Sequence, residues 1–351
     1  MSPATVRIVD ETLRDGSNAI SHSLTPDQVR RVAGLLDQAG AWAIAVGHGD
    51  GLGGASLQFG LATHSDEELL RAAAEVVKHA KIAVALLPGC GTKDDLLSAA
   101  ASGASLVRVA TVCTEPDIGL QHIKLARSLG LGAHGILAMA NIGSPELLAE
   151  GALILAEAGA QAIYIVDSAG SLLPQEVRDR VGAVRAALPD DIDVGIHAHN
   201  NLSLAVANSV AAVEAGATMV DATLAGLGAG AGNTQSEAFV AVCKRLGIET
   251  GIDLFALQDA ADDVVRVDLM RSPNVVDKVT ATLGYAGVPS SFLRHVEQAA
   301  ERFGVDGRAI IVALGERKVV IGQEDMILDT AMSLAGRSPE PTTRRYPSPT
   351  L

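Results

Sequence analysis

Short runs of apolar, mostly β-branched residues alternate along the chain with longer stretches whose apolar positions recur every three or four residues. The runs at 6–9, 43–46, 82–87, 106–110, 135–139, 162–166, 194–199 and 219–222 predict eight strands. Between them, 25–38, 66–78, 145–158, 174–187 and 202–215 predict amphipathic helices. The punctuation agrees. Thr25-Pro26 and Ser144-Pro145 each place a capping residue before a proline suited to the first helical turn. Gly40, Gly130, Gly159 and Gly216 stand just past helix ends, where a left-handed backbone suits glycine.

Strands joined by crossover helices predict a parallel sheet. Eight of them, each an almost unbroken apolar run, favour an α/β fold of the closed (β/α)8 type, a TIM barrel, over an open sheet. The repeat ends near Leu246, which gives a barrel domain over residues 1–250. Beyond it the pattern turns helical, at 254–265, 290–303, 307–314 and 325–334, and predicts a small helical C-terminal domain over 251–335. The segment 336–351, rich in Pro, Ser, Thr and Arg, reads as a disordered tail.

Composition narrows the classes of function. With 48% hydrophobic and 19% charged residues in 351, a large core forms easily and a disordered chain is excluded. Thirty-six glycines and only 3% aromatics imply tight turns and a core of Ala, Val and Ile. A net charge of −14 without a basic block argues against nucleic acid or an anionic membrane as partner. Three scattered cysteines, Cys90, Cys113 and Cys243, form no disulfide framework and suit a reducing compartment. No apolar stretch reaches the ~18 residues that span a bilayer, and the start has no apolar signal core, so a soluble cytoplasmic protein is expected.

In a barrel of this kind the chemistry belongs at the C-terminal ends of the strands. Two such ends stand out. In His197-Ala-His199 the two imidazoles, two apart on a strand, point to one side. Two His with one carboxylate is a common set for a catalytic divalent metal; the alternative is a hydrogen-bonded structural pair. In Arg14-Asp15-Gly16, Asp15 can supply the carboxylate and Arg14 can hold an anionic oxygen, unless the two form only a surface ion pair. The Gly-rich run 226–232 suits backbone binding of an anion or a plain tight loop, and Ser168 offers a hydroxyl. His22 and His48 are candidate acids or bases, or structural. A divalent metal beside an arginine suits enolate chemistry on a 2-oxo acid.

The segments Asp10-Glu-Thr-Leu-Arg-Asp-Gly16 and His197-Ala-His-Asn-Asn201 together resemble the signature of metal-dependent carbon–carbon lyases and synthases built on TIM barrels. HGDGLGG (48–54), VDSAG (166–170), HNNLSLAVANSVAAVEAGA (199–217), GLGAGAGN (226–233), GIETGIDLF (247–255), LGYAGV (283–288) and GQEDMI (322–327) are most similar to the 4-hydroxy-2-oxovalerate aldolases. The resemblance covers about residues 7–335. It implies a class II pyruvate aldolase, which splits a 4-hydroxy-2-oxo acid into pyruvate and an aldehyde with Mn²⁺, or another divalent ion such as Co²⁺ or Mg²⁺. By position it gives Asp15, His197 and His199 to the metal, Arg14 to the enolate and Ser168 to the substrate carboxylate. It also implies an oligomer that passes its aldehyde to an acylating aldehyde dehydrogenase docked on the helical domain.

The chain departs from that pattern. Asn18 stands where the resemblance expects a His acting as general base on the C4 hydroxyl. Val112 and Asn141 stand where it expects His, and Pro289 where it expects a substrate-contacting Tyr. Losing a general base typically costs 10²–10⁴-fold in rate. Either His22, His48 or a metal-bound water takes over the base's role on a non-standard aldehyde, or the enzyme runs mainly as a condensing catalyst. Another enolate-forming step, such as oxaloacetate decarboxylation, is a further reading. Two more readings are a Claisen-type acyl-transferring synthase and a non-catalytic partner of a dehydrogenase.

Overall fold

The computed structural model describes residues 5–270 and 273–336. Eight strands, β1 (Arg7–Leu13), β2 (Ala43–Val46), β3 (Lys81–Leu86), β4 (Leu106–Val112), β5 (Gly132–Ala138), β6 (Ala162–Asp167), β7 (Asp193–Ala198) and β8 (Met219–Ala222), close into a barrel in chain order. Every neighbour is parallel, and the ring is sealed where Arg7 of β1 faces Met219 of β8. The predicted (β/α)8 architecture is therefore the fold.

The helices start and stop as the sequence signals. Thr25 forms a reciprocal capping box with Gln28 ahead of Pro26–Ala39, and Ser144 caps Pro145–Glu157 through the Leu147 N–H. Gly40, Gly130, Gly159 and Gly216 all take positive φ at the chain reversals that follow. Two helices, Lys93–Ala101 and Leu120–Ser128, were not predicted; they are short and bury only two residues each, so their apolar stripe is weak.

Inside the barrel, space is set by small side chains. Ala43, Ala45, Ala83 and Ala162 face an interior filled by Val9, Leu106, Tyr164 and Met219. Gly195 makes room for the Tyr164 ring: a Cβ there would stand 2.4 Å from Cε1. The Arg108 guanidinium lies 4.3 Å from the centre of that ring. A larger core of strand outer faces and helix stripes surrounds this plug.

The strand ends differ from expectation in one informative place. β1 was predicted to end at Val9 but runs to Leu13, with a register shift between Asp10 and Leu13. Asp10, Glu11 and Thr12 look like loop residues in sequence, yet all three are buried because each finds a partner. Asp10 accepts the Thr12 N–H at 2.9 Å, and Thr12 Oγ1 accepts the Leu224 N–H at 2.8 Å.

Beyond the barrel, the stretch predicted as one helix from 254 divides into a helix at Leu254–Asp259 and a wider-pitched segment at Ala260–Leu269. Leu257, Ala261, Val265 and Leu269 pack into the barrel's own core, whereas a second core gathers Leu283, Phe292, Val296, Ile311 and Ile327. Helices Lys278–Ala286, Leu293–Phe303, Gly307–Glu316 and Asp325–Ala335 build that second core. The tail expected from 336 lies, apart from Gly336, outside the described residues. No helix among the described residues is long and apolar enough to cross a membrane.

Because neither the Tyr164 ring nor the strand can yield, Gly195→Ala is expected to destabilise the barrel by about 1–3 kcal/mol. Urea unfolding followed by circular dichroism checks this as a lowered midpoint.

Candidate active site

Strand β1 carries Glu11 to the barrel mouth, and the turn beyond it presents Arg14 and Asp15. Strand β7 presents His197; His199 follows one residue past the strand and is tied to Asn233 by an isolated bridge. Ligand atoms of Asp15, His197 and His199 all lie within 4.8 Å of one another, and all three residues are buried. The two rings meet edge-on, 5.0 Å apart. The alternation read from the sequence does place both imidazoles at one mouth beside the carboxylate.

Each member is held by its neighbours. His197 Nδ1 lies 3.0 Å from Asp221 Oδ2, so the carboxylate accepts the Nδ1–H and leaves Nε2 turned toward Asp15, 3.9 Å away. Asp221 also accepts from Arg108 Nη2 at 2.6 Å, and Arg108 pairs with Glu11. Glu11 in turn accepts from Arg14 Nε at 2.5 Å. Asp15 Oδ1 accepts the Ala229 N–H at 3.0 Å and Asn233 Nδ2 at 2.8 Å, while Oδ2 accepts from Arg14 Nη1 at 3.1 Å.

These contacts fix the charges. Burial works against ionisation of Asp15, but the Arg14 guanidinium, the two imidazoles and the Asn233 amide outweigh it and hold its pKa well below the usual carboxylate range. Burial pushes His199 down to about 4, with His197 and Arg14 adding to the effect against Asp15, so it is neutral at physiological pH. Its Nδ1 is buried with no hydrogen-bond partner among the described residues. An unpartnered imidazole nitrogen beside a second imidazole and a carboxylate is a donor set that fits a divalent cation.

A cavity of about 410 Å³ opens above this group. Arg14, Asp15, Asn18, Ser168, His197, His199 and Pro289 line it. Ser168 Oγ accepts the Met139 N–H at 2.9 Å. Pro289 belongs to the helical region, whose Ser290 N–H bonds the Ser168 carbonyl at 2.8 Å. The second core thus supplies one wall of the site.

Three candidates are placed elsewhere. Asn141 is not in the cavity; its Nδ2 donates to the Gly287 carbonyl at 3.1 Å and ties the end of β5 to the helical region. The His48 ring does not reach the cavity either: Nδ1 accepts the Asp50 N–H at 3.1 Å and Nε2 pairs with the Gly60 carbonyl at 3.1 Å. His22 stacks on it, ring centres 3.7 Å apart, and lies 3.3 Å from Ser17 Oγ. Burial, then the neighbouring His48, pushes His22 down to about 3. Both histidines anchor backbone.

Sequence reasoning missed Glu11, Arg108 and Asp221, and with them Asp50, which also lines the cavity. The signal was present for the second and third. A lone charged residue inside an otherwise apolar strand, as in LVRVA (106–110) and MVDA (219–222), needs a buried partner.

Comparison with known proteins identifies the family. The HMGL-like family matches residues 5–264, and the DmpG-like communication domain matches residues 274–336. A 4-hydroxy-2-oxovalerate aldolase from Carboxydothermus hydrogenoformans is 53% identical over 94% of this chain and 97% of its own. Another, from Geobacillus genomosp. 3, is 52% identical over 95% and 98%. The chain belongs to the 4-hydroxy-2-oxovalerate aldolase family. It is a carbon–carbon lyase of the aldolase type. Solved structures at lower identity share the fold. The carboxyl transferase domain of Rhizobium etli pyruvate carboxylase, with pyruvate, gives a TM-score of 0.78 at 19% identity over 96% of this chain and 61% of that one. The HMG-CoA lyase of Brucella melitensis gives 0.63 at 21% identity over 74% and 96%.

Within this aldolase, Asp221 orients His197. Asp221→Asn is therefore expected to weaken any divalent-cation binding at His197 by about 10–100-fold, read by titration of the purified protein with divalent cations.

Proposed function

We propose that this aldolase is divalent-metal-dependent and cleaves, or in reverse forms, a 4-hydroxy-2-oxo acid from pyruvate and an aldehyde longer and less polar than acetaldehyde. The observation that carries the reading is the convergence of Asp15, His197 and His199 with Arg14 in one cavity at the C-terminal mouth of the barrel. Asp15, His197 and His199 hold the ion, Mn²⁺ or a substitute such as Co²⁺ or Mg²⁺, which when bound supplies Lewis acidity to the 2-oxo group.

The chain's own residues do the rest. Arg14 is braced by Glu11, Asp15 and the Gly49 carbonyl, and its Nη2 has no partner among the described residues. That nitrogen offers a fixed donor to the oxygen on which negative charge collects as the C3–C4 bond breaks. Ser168 Oγ accepts the Met139 N–H, which leaves its hydroxyl proton for the substrate carboxylate. Leu87, Val112, Ile118, Pro289 and Ile321 line the cavity's apolar side and exclude water from the reacting carbons.

That apolar side supports the longer aldehyde. Val112 and Pro289 offer no hydrogen bond to a small polar aldehyde, and they leave apolar surface that an alkyl chain can cover. The helical region, matched to a communication domain, supports an acylating aldehyde dehydrogenase as the partner that receives the product.

With Mn²⁺ present, pyruvate release from 4-hydroxy-2-oxovalerate is expected, and chelation abolishes it. Asp15→Asn should lower both bound Mn²⁺ and the rate, the rate by at least about 10²-fold; unchanged metal content and activity would sink the reading. In the condensation direction, kcat/KM should climb about fourfold per added methylene from acetaldehyde upward, as each buried CH₂ contributes about 0.8 kcal/mol.

A further inference from the structure

Cleavage of a 4-hydroxy-2-oxo acid needs a proton acceptor for the C4 hydroxyl, and the amide of Asn18 is not one. The carboxylates that line the cavity are few. Asp15 is a metal ligand, Glu11 is paired to Arg14 and Arg108, and Asp221 is paired to Arg108 and His197. Glu115 is exposed at the rim. Asp50 is the one left. It lines the cavity with Asn18, its side chain is 15% exposed, and its carboxylate makes no hydrogen bond or arginine pair among the described residues. His48 Nδ1 is 3.7 Å from Oδ2, but that nitrogen already accepts the Asp50 N–H and has no proton to give.

We propose that Asp50 is the catalytic base that removes the C4 hydroxyl proton, while the Asn18 amide in the same cavity can only hydrogen-bond to the substrate. The inference rests on the aldolase reading above. In the cleavage direction the hydroxyl proton passes to the Asp50 carboxylate, and the electron pair of the broken O–H bond forms the second C4–O bond of the aldehyde. The C3–C4 pair moves into the pyruvate enolate, and a proton returned to C3 completes the cycle. Atoms and charge balance without any oxidant or co-reactant.

The loop is built to hold that carboxylate in place. The Leu52 N–H bonds the Ala85 carbonyl at 2.9 Å, and Gly51 takes φ +83 with only 2.6 Å between a would-be Cβ and that same oxygen. His48 steadies the Asp50 backbone from the other side and is itself fixed by Gly60 and by Asp66, which accepts the His48 N–H at 2.9 Å. A Cβ on Gly49 would stand 2.3 Å from Asn18 Oδ1, so glycine there is what lets the amide lie against the base's own loop. Burial raises Asp50 to about 7, with Arg14 working against it and Asp15 and Glu324 adding to it. A base in that range works near neutrality.

The test compares two reactions of the Mn²⁺-loaded protein: pyruvate release from 4-hydroxy-2-oxovalerate, and decarboxylation of oxaloacetate, which has no hydroxyl to deprotonate. Asp50→Asn should lose about 10²–10⁴-fold in the first while bound Mn²⁺ is kept and the second falls far less. In the wild type, kcat/KM for cleavage should rise with pH as Asp50 loses its proton, then level off; the variant and the decarboxylation should lack that limb. Cleavage retained within about threefold, or both reactions falling in parallel, overturns the role of Asp50. A wild type that decarboxylates oxaloacetate yet cleaves no 4-hydroxy-2-oxo acid overturns the aldolase reading itself, a distinct result.

Discussion

The site depends on one buried cation. Arg108 lies inside the barrel, pairs with Glu11 and Asp221, and rests over the Tyr164 ring. Taking three charges out of water is costly, and such a group is tolerated only when each charge is matched and hydrogen-bonded. Here the matching has a direction. Through Glu11 the guanidinium braces Arg14, and through Asp221 it braces His197. Arg14 and His197 are thus positioned by the same residue, through carboxylates on the adjoining strands β1 and β8. Removing one partner would strand the others in a medium that cannot solvate them.

The fold was largely legible because its signals are local. Alternation of apolar runs and amphipathic stretches, capped by Thr25 and Ser144 and closed by Gly40 and Gly159, reports on each element separately. The clustering of Asp15, His197 and His199 was legible too, since a two-residue spacing on a strand and a carboxylate at a strand end are short-range patterns. What was hidden is long-range. Nothing near Asp50 in sequence says that its carboxylate lacks a partner, and nothing near His48 says that both ring nitrogens are spent on backbone. The polar half of β1 read as loop for the same reason: Glu11 and Thr12 are satisfied by Arg108 and Leu224, far along the chain.

The helical region is part of the same argument. It has its own core, yet Ser290 bonds Ser168 and Asn201, and Asn141 reaches Gly287. Pro289 and Ile321 then stand on the cavity wall. The barrel alone would present an open, wetter mouth, where water competes for every donor that Arg14 and Ser168 offer. The second core therefore shapes chemistry that the first core's strands carry out.

One feature of the barrel reaches into how the protein is made. The ring is sealed between β1 and β8, and Asp15 is bonded to Asn233, 218 residues further on. Contacts of that separation carry a heavy loop-closure cost and form late. Asp15 lies on one side of this seam, and His197, His199 and Asn233 lie on the other. The Asp15, His197 and His199 cluster is therefore complete only when the barrel is closed. An ion held by Asp15, His197 and His199 would act as a clasp across that join.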